Sequence, residues 1–273
     1  MKNRLDRIPK YPAPLRIGIF LLVLLGLWLP VVGLAEWLIQ DTNTTSIVTL
    51  VALYGEFILL VRWWATSLYQ QPTPFRSYGL VNTRRNGLNL LWGLGLGLSS
   101  LMLMFWVQGV LGWVEWQFSP LLARMILEGS LTGLGFGFAE ELLFRGWLLD
   151  ELQRDYSSGK ARWINAIVFA ALHAPRSIAQ LPALVILGVA LIWAKEATQG
   201  RLGLSIGLHG GLVWGYYIVN VGQLIRYADQ VPQWVTGLEG NPLAGVAGLL
   251  AVGTIALGMK RAAIRQTDLK KQI

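Results

Sequence analysis

Long uninterrupted runs of apolar residues dominate the pattern along the chain. They lack the alternation of a half-buried strand and the three-to-four spacing of an amphipathic helix, and they reach the roughly 20 residues that cross the hydrocarbon core of a bilayer. The pattern predicts an all-α, polytopic membrane helical bundle with about eight transmembrane segments. These segments are 15–38, 46–64, 87–112, 119–152, 163–176, 182–198, 203–221 and 243–260.

Two parts of this pattern depart from simple spans. The fourth segment is longer than a span requires, so we expect it to tilt or to project from the membrane. The fifth and sixth segments are short and flank Pro175 and Pro182, so they can form a hairpin that does not cross fully.

Composition strengthens the membrane interpretation. The chain is 54% hydrophobic and only 14% charged, whereas a soluble domain carries about 25% charged residues. Its 13 Trp and 31 Gly fit too, because Trp collects at membrane interfaces and Gly is frequent in spanning helices. Without cysteine the chain has no disulfide, no thiolate nucleophile and no Cys-ligated metal. We expect a multi-pass protein of the plasma membrane or an internal membrane.

The net charge of +8 is explained by topology. Most of the basic residues fall in the N-terminal stretch, the C-terminal tail and alternate loops between segments, which the positive-inside rule assigns to the cytoplasm. Both termini are therefore expected to be cytoplasmic. Since the charge marks orientation, we expect the lipid bilayer, and no nucleic acid, as partner.

Three ionisable residues lie deep within the fourth segment. Glu141 and Arg145 are four residues apart in EELLFR, so on a helix they share a face and can form an ion pair. Glu140 is rotated by about 100° from Glu141 and has no cation at helical spacing. A buried carboxylate needs a partner elsewhere or takes up a proton.

Both histidines of the chain, His173 and His209, also lie in apolar segments. Counted from the cytoplasmic ends at about 1.5 Å per residue, Glu140, His173 and His209 lie roughly 18, 15 and 10 Å deep. Helices entering from one side can therefore bring them together. Imidazole and carboxylate groups bind Zn²⁺ or activate a water for attack on a carbonyl.

The ordered motifs resemble a known family. EELLFR reads as EExxxR, VFAALH contains FxxxH from Phe169 to His173, and a later helix supplies His209. In this order, over about 120–220, they resemble the CAAX protease and bacteriocin-processing (CPBP, or Abi) intramembrane endopeptidases, which include the type II CAAX prenyl endopeptidase. The resemblance divides the chain into N-terminal helices and a cytoplasmic loop (1–118), a catalytic core (119–222), and a loop, last helix and basic tail (223–273).

The resemblance also implies roles. Glu140 would activate the hydrolytic water, and His173 and His209 would complete the site as metal ligands or as polarising groups. With Glu140, the two histidines could hold one divalent metal ion, with zinc as the first candidate. Glu141 and Arg145 would hold the geometry, and Phe169 would line the substrate pocket. The family commonly has Asn four residues after the last His, where this chain has Val213.

We therefore expect an intramembrane endopeptidase that cleaves membrane-embedded or lipidated, CAAX-like substrates. A non-catalytic membrane scaffold that keeps the polar cluster, which Val213 favours, and a proton-coupled transporter remain alternatives. The segment GLSIG matches the G-x-S-x-G nucleophile elbow, but that motif needs a strand–turn–helix in a soluble sheet.

Glycines at four-residue spacing accompany the proposed site residues. They form one row at Gly129, Gly133 and Gly137 and a second at Gly207, Gly211 and Gly215. Such rows let helices approach closely, so we expect them to help bring Glu140 and His209 together.

Overall fold

A computed structural model describes residues 5–175 and 177–272. The described chain is mostly helical, at 78%, which confirms the all-α class. In chain order the α-helices are α1 (Ala13–Leu38), α2 (Thr42–Leu68), α3 (Pro74–Ser77), α4 (Arg84–Val110), α5 (Leu122–Glu141), α6 (Leu149–Gln153), α7 (Ser158–Ala171), α8 (Leu181–Ala197), α9 (Gly203–Tyr216), α10 (Gln233–Thr236) and α11 (Val246–Lys271).

The shorter elements connect these helices. Two π-helices, Leu142–Leu148 and Tyr217–Val221, continue α5 and α9 respectively. Four 3₁₀ turns are Ile8–Lys10, Ile178–Gln180, Leu238–Gly240 and Pro242–Ala244. A two-stranded antiparallel sheet pairs β1 (Val114–Trp116) with β2 (Ile225–Tyr227). The sequence did not predict this sheet, because three-residue strands are too short to show alternation.

Local capping chemistry sets the start of two long helices. The Asp41 carboxylate accepts a hydrogen bond of 2.7 Å from the backbone N–H of Thr44 at the start of α2. The Thr83 hydroxyl accepts one of 3.2 Å from the N–H of Asn86 at the start of α4. Each side chain satisfies an N–H that has no partner within its own helix.

Among the described residues, five helices are long and apolar enough to cross a membrane: Ala13–Leu38, Thr42–Leu68, Arg84–Val110, Ile178–Ala197 and Val246–Leu269. They correspond to five of the eight predicted segments. Within the described residues, the segments 119–152, 163–176 and 203–221 also contain helices, but α7 and α9 have 14 residues each. At about 1.5 Å per residue these two are shorter than the roughly 30 Å hydrocarbon core. Residue 176 lies outside the described residues.

The chain forms two packing units, residues 1–77 with 150–156 and residues 78–149 with 157–273. This division concerns packing and does not test the functional division at 118 and 222, which stays a prediction.

A buried polar cluster organises the first unit. The guanidinium of Arg16, only 2% exposed, donates from Nε to Glu151 Oε2 at 2.8 Å. Trp64 Nε1 donates to Glu151 Oε1 at 2.9 Å, and the Tyr69 hydroxyl donates to Oε2 at 2.8 Å. Burial and the adjacent Glu151 carboxylate raise the pKa of Tyr69. Because the ions are paired and hydrogen-bonded, they can remain buried.

In the second unit α9 packs against both α4 and α5 through glycines. A Cβ at Gly207 would lie 2.0 Å from Leu90 O of α4. A Cβ at Gly137 of α5 would lie 2.6 Å from Ile206 O of α9. Close backbone approach therefore requires glycine at both positions.

The two glycine rows do not face each other. Gly129, Gly133 and Gly137 face α9 and the π-helix that continues it, as expected, whereas Gly207, Gly211 and Gly215 face α4. The rotation of α9 that turns this row towards α4 was not readable from spacing alone.

Candidate functional site

Glu140 and Glu141 are the last two residues of α5 and precede the π-helix Leu142–Leu148. Glu141 and Arg145 are fully buried, whereas the Glu140 side chain is 18% exposed. Adjacent helical residues point about 100° apart, and this separates the two carboxylates into different environments.

The Glu141 carboxylate joins two side chains. Its Oε1 accepts hydrogen bonds of 2.9 Å from Arg145 NH1 and of 2.9 Å from His209 Nδ1. Arg145 NH2 also donates to the Gly188 carbonyl at 3.1 Å. The ion pair expected from helical spacing is thus present, and the same oxygen also fixes the orientation of the His209 ring.

The π-helix has side-chain donors on two of its carbonyls. Asn165 Nδ2 donates to Phe144 O at 2.7 Å, and Lys195 Nζ donates to Arg145 O at 2.6 Å. A π-helix leaves backbone groups that an α-helix would pair. These bonds from α7 and α8 stabilise the segment that carries Arg145.

Glu140 lies opposite both histidines. Its Oε2 is 3.8 Å from His173 Nε2 and 3.9 Å from His209 Nε2. This oxygen is buried and has no hydrogen-bond partner among the described residues. Both separations exceed a hydrogen bond, so Glu140 is not bonded directly to either histidine.

Backbone and carboxylate contacts assign the histidine tautomers. His173 Nδ1 is 2.8 Å from the Phe169 carbonyl, and His209 Nδ1 is 2.9 Å from the Glu141 carboxylate. Since both partners only accept hydrogen bonds, Nδ1 carries the proton in each ring. The Nε2 atom of each ring therefore faces Glu140.

The structure thus brings together the five residues that the sequence singled out as catalytic: Glu140, Glu141, Arg145, His173 and His209. A scan against protein-family models matches residues 122–215 to the type II CAAX prenyl endopeptidase Rce1-like family. This match supports an assignment to the CAAX protease family. No curated protein and no solved structure matches the chain significantly.

Phe169 lies at the centre of this candidate site. Its ring is 4.8 Å from the His173 ring and 5.9 Å from the His209 ring, measured between centroids. The Arg145 guanidinium carbon lies 4.4 Å from the Phe169 centroid. Phe169 therefore packs against both histidine rings on one side and makes a cation–π contact with the buried Arg145 guanidinium.

A cavity of about 160 Å³ opens on the two histidines. Phe169 lines it, as does Val213, which leaves an apolar wall where the resemblance implies Asn. Asn220 does not line this cavity, and its amide donates to the Gly240 carbonyl at 2.8 Å.

Sequence reasoning missed two polar residues of the cavity, Gln180 and Asn241. Both lie in short connections between helices, at Ile178–Gln180 and before Pro242–Ala244. Their only sequence signal is that each is an amide within two residues of a proline, Pro182 and Pro242 respectively.

The donor chemistry suits a divalent metal only in part. Two imidazoles and a carboxylate are groups that zinc accepts. Among the described residues, however, no group of three or more His, Asp or Glu side chains is arranged to hold a metal ion. The zinc expected for Glu140, His173 and His209 stays a prediction, and no step below depends on it.

Proposed function

We propose that this protein is an intramembrane endopeptidase that hydrolyses peptide bonds of membrane-embedded or lipidated, CAAX-like substrates. One observation carries the proposal: an unpartnered, buried oxygen of Glu140 faces the Nε2 atoms of His173 and His209 at 3.8 and 3.9 Å. The family match over residues 122–215 supports a protease of this class.

In the proposed mechanism Glu140 is the general base. A water between Glu140 and a histidine donates one hydrogen bond to Oε2 and the other to Nε2. As the water oxygen bonds to the substrate carbonyl carbon, Glu140 takes one proton and the carbonyl π electrons move to oxygen. Collapse of this oxyanion breaks the C–N bond, and Glu140 returns the proton to the leaving nitrogen.

Glu141 and Arg145 act as positioning residues in this mechanism. Glu141 holds the Nδ1–H of His209, which keeps the Nε2 lone pair towards the water. Arg145 balances the Glu141 charge at 2.9 Å. If one carboxylate both oriented His209 and took up the proton of the water, protonation would weaken its hydrogen bond to the imidazole ring. The two glutamates therefore have separate roles.

We further propose eight membrane spans with both termini in the cytoplasm, as the apolar segments and the positive-inside rule favour. The chain lacks cysteine, so single cysteines can be placed at the tail and in successive loops of the native background. Labelling of intact cells with a membrane-impermeant maleimide tests this topology. Labelling of a tail cysteine from outside the cell would overturn it.

The central test is cleavage of a membrane-reconstituted, prenylated peptide by wild-type protein and Glu140→Gln. We expect the variant to lose all measurable cleavage. The matched control is Glu128→Gln, the same change on the same helix, where Glu128 forms a partly exposed pair with Arg124 at 2.7 Å. This control should cleave at the wild-type rate.

The same panel addresses the alternatives. A scaffold, which the apolar Val213 favours, predicts no cleavage by wild-type protein and an unchanged phenotype in Glu140→Gln. A transporter predicts pH-dependent flux in proteoliposomes that His173→Ala abolishes. Wild-type turnover in Glu140→Gln would remove Glu140 from the mechanism.

A further inference from the structure

Hydrolysis at this site requires hydrogen-bond donors for the oxyanion that forms on the substrate carbonyl. In acyl transfer, such donors are aimed at the position where the negative charge develops. Glu140 is an acceptor in the proposed mechanism, and Val213 offers only apolar atoms to the cavity. A donor besides the two histidines must therefore come from elsewhere in the cavity wall.

Two amides supply donors on the cavity wall. Gln180, only 5% exposed, donates from Nε2 to the backbone carbonyl of His173 at 2.9 Å. Its Oε1 accepts a 2.8 Å hydrogen bond from Asn241 Nδ2. Asn241 Oδ1 in turn accepts from the N–H of Leu243 at 3.0 Å. These bonds fix the pair in one orientation next to His173.

The bonds leave one donor on each amide nitrogen. A side-chain amide carries two N–H groups, and each nitrogen uses one in the contacts above. Within the part of the chain that the structure describes, no second acceptor lies on either nitrogen. Both residues line the cavity that contains the histidines.

We propose that Gln180 and Asn241 form the oxyanion-binding donors of this enzyme, in place of the side chain that Val213 lacks. This inference rests on the proposed endopeptidase function. Tyr216 also lines the cavity, but this residue is 38% exposed. Gln180 is buried, Asn241 is partly buried, and their hydrogen bonds hold the pair in one orientation. Preorganised donors of this kind stabilise a developing charge most.

The test measures kcat and KM for Asn241→Asp with the reconstituted peptide. This change keeps the oxygen that accepts from Leu243 and removes the Nδ2 donor. We expect kcat to fall about a hundredfold or more, with KM changed by less than about threefold. Gln180→Glu should act in the same direction. Asn43→Asp, the same change at an exposed residue outside the cavity, should retain wild-type kcat.

Rescue separates catalysis from structure. Adding Val213→Asn to Asn241→Asp returns an amide to the cavity, and we expect it to recover kcat at least tenfold. Failure of rescue together with a lowered melting temperature would show a structural role for Asn241 and overturn the proposal. Unchanged kcat in Asn241→Asp, a rise in KM alone, or loss of kcat only in Tyr216→Phe would also overturn it. Glu140→Gln in the same panel tests the endopeptidase function separately, because its activity does not depend on which residues bind the oxyanion.

Discussion

The same isosteric change, Glu to Gln, at the adjacent residues Glu140 and Glu141 should distinguish a role in stability from a role in catalysis. In Glu141→Gln the buried Arg145, which is fully excluded from solvent, loses its anionic partner at 2.9 Å. Breaking a buried ion pair by neutralising one member costs about 3–5 kcal/mol. The same change weakens the hold on His209 Nδ1, so we also expect cleavage to fall about a hundredfold or more.

Glu140→Gln should behave differently. Glu140 Oε2 has no hydrogen-bond partner among the described residues, so neutralising it removes no bond from that oxygen. We expect the unfolding free energy to change by less than about 1 kcal/mol, while cleavage is abolished. The comparison can be made by unfolding in mixed detergent micelles with increasing dodecyl sulfate, in parallel with peptide cleavage.

A double variant tests the cause of the instability. Glu141→Gln with Arg145→Met removes both buried charges, so it should be more stable than Glu141→Gln alone. Equal destabilisation by Glu140→Gln and Glu141→Gln would refute the division of roles. So would a double variant that is less stable than either single variant, because no unpaired charge would then explain the loss.

Three further predictions concern packing, the first unit and metal content. Gly207→Ala should lower the melting temperature, since a Cβ there would lie 2.0 Å from a backbone carbonyl oxygen. The control Gly135→Ala should not, because no atom lies within 4 Å of a Cβ at that position. Equal melting temperatures of the two variants would contradict this prediction. Glu151→Gln should cost about 1.5–3 kcal/mol in detergent unfolding, because the buried Arg16 loses a charged partner and keeps only the more exposed Asp155 at 3.2 Å. A cost under about 1 kcal/mol would show that the pair with Glu151 contributes little. Elemental analysis of purified protein tests the zinc predicted for Glu140, His173 and His209. One zinc per chain that Glu140→Gln removes would establish the metal site, and well under one zinc per chain would contradict it.

Helical spacing was sufficient to predict part of the site. It placed Glu141 with Arg145 and left Glu140 without a cation, and the structure has both features. It could not predict that Glu141 also binds His209, because that contact joins residues 68 positions apart. Such a contact depends on how α9 is rotated against α5, and apolar periodicity does not determine rotation in a helix that is apolar on most faces.

For the fold too, features that depend on neighbouring residues were predictable from the sequence, and features that depend on distant residues were not. The apolar runs predicted helices throughout, because hydrophobic length is a local property. The π-helix after Glu141 was not predicted, since its carbonyls depend on donors from Asn165 and Lys195 on other helices. Gln180 and Asn241 were missed for the same reason: they are 61 positions apart and meet only in the folded chain.

The size of the cavity has a consequence for how a lipidated substrate would be selected. Pockets that enclose a drug-sized molecule have volumes of about 300–1,000 Å³, and this cavity has about 160 Å³. It can admit the segment around a scissile bond but not the lipid as well, so the lipid would stay in the surrounding bilayer. Each buried methylene adds about 0.8 kcal/mol to membrane partitioning. The lipid would then raise the concentration of the substrate in the plane of the membrane. Partitioning into the membrane would select lipidated substrates before they contact any side chain of the site.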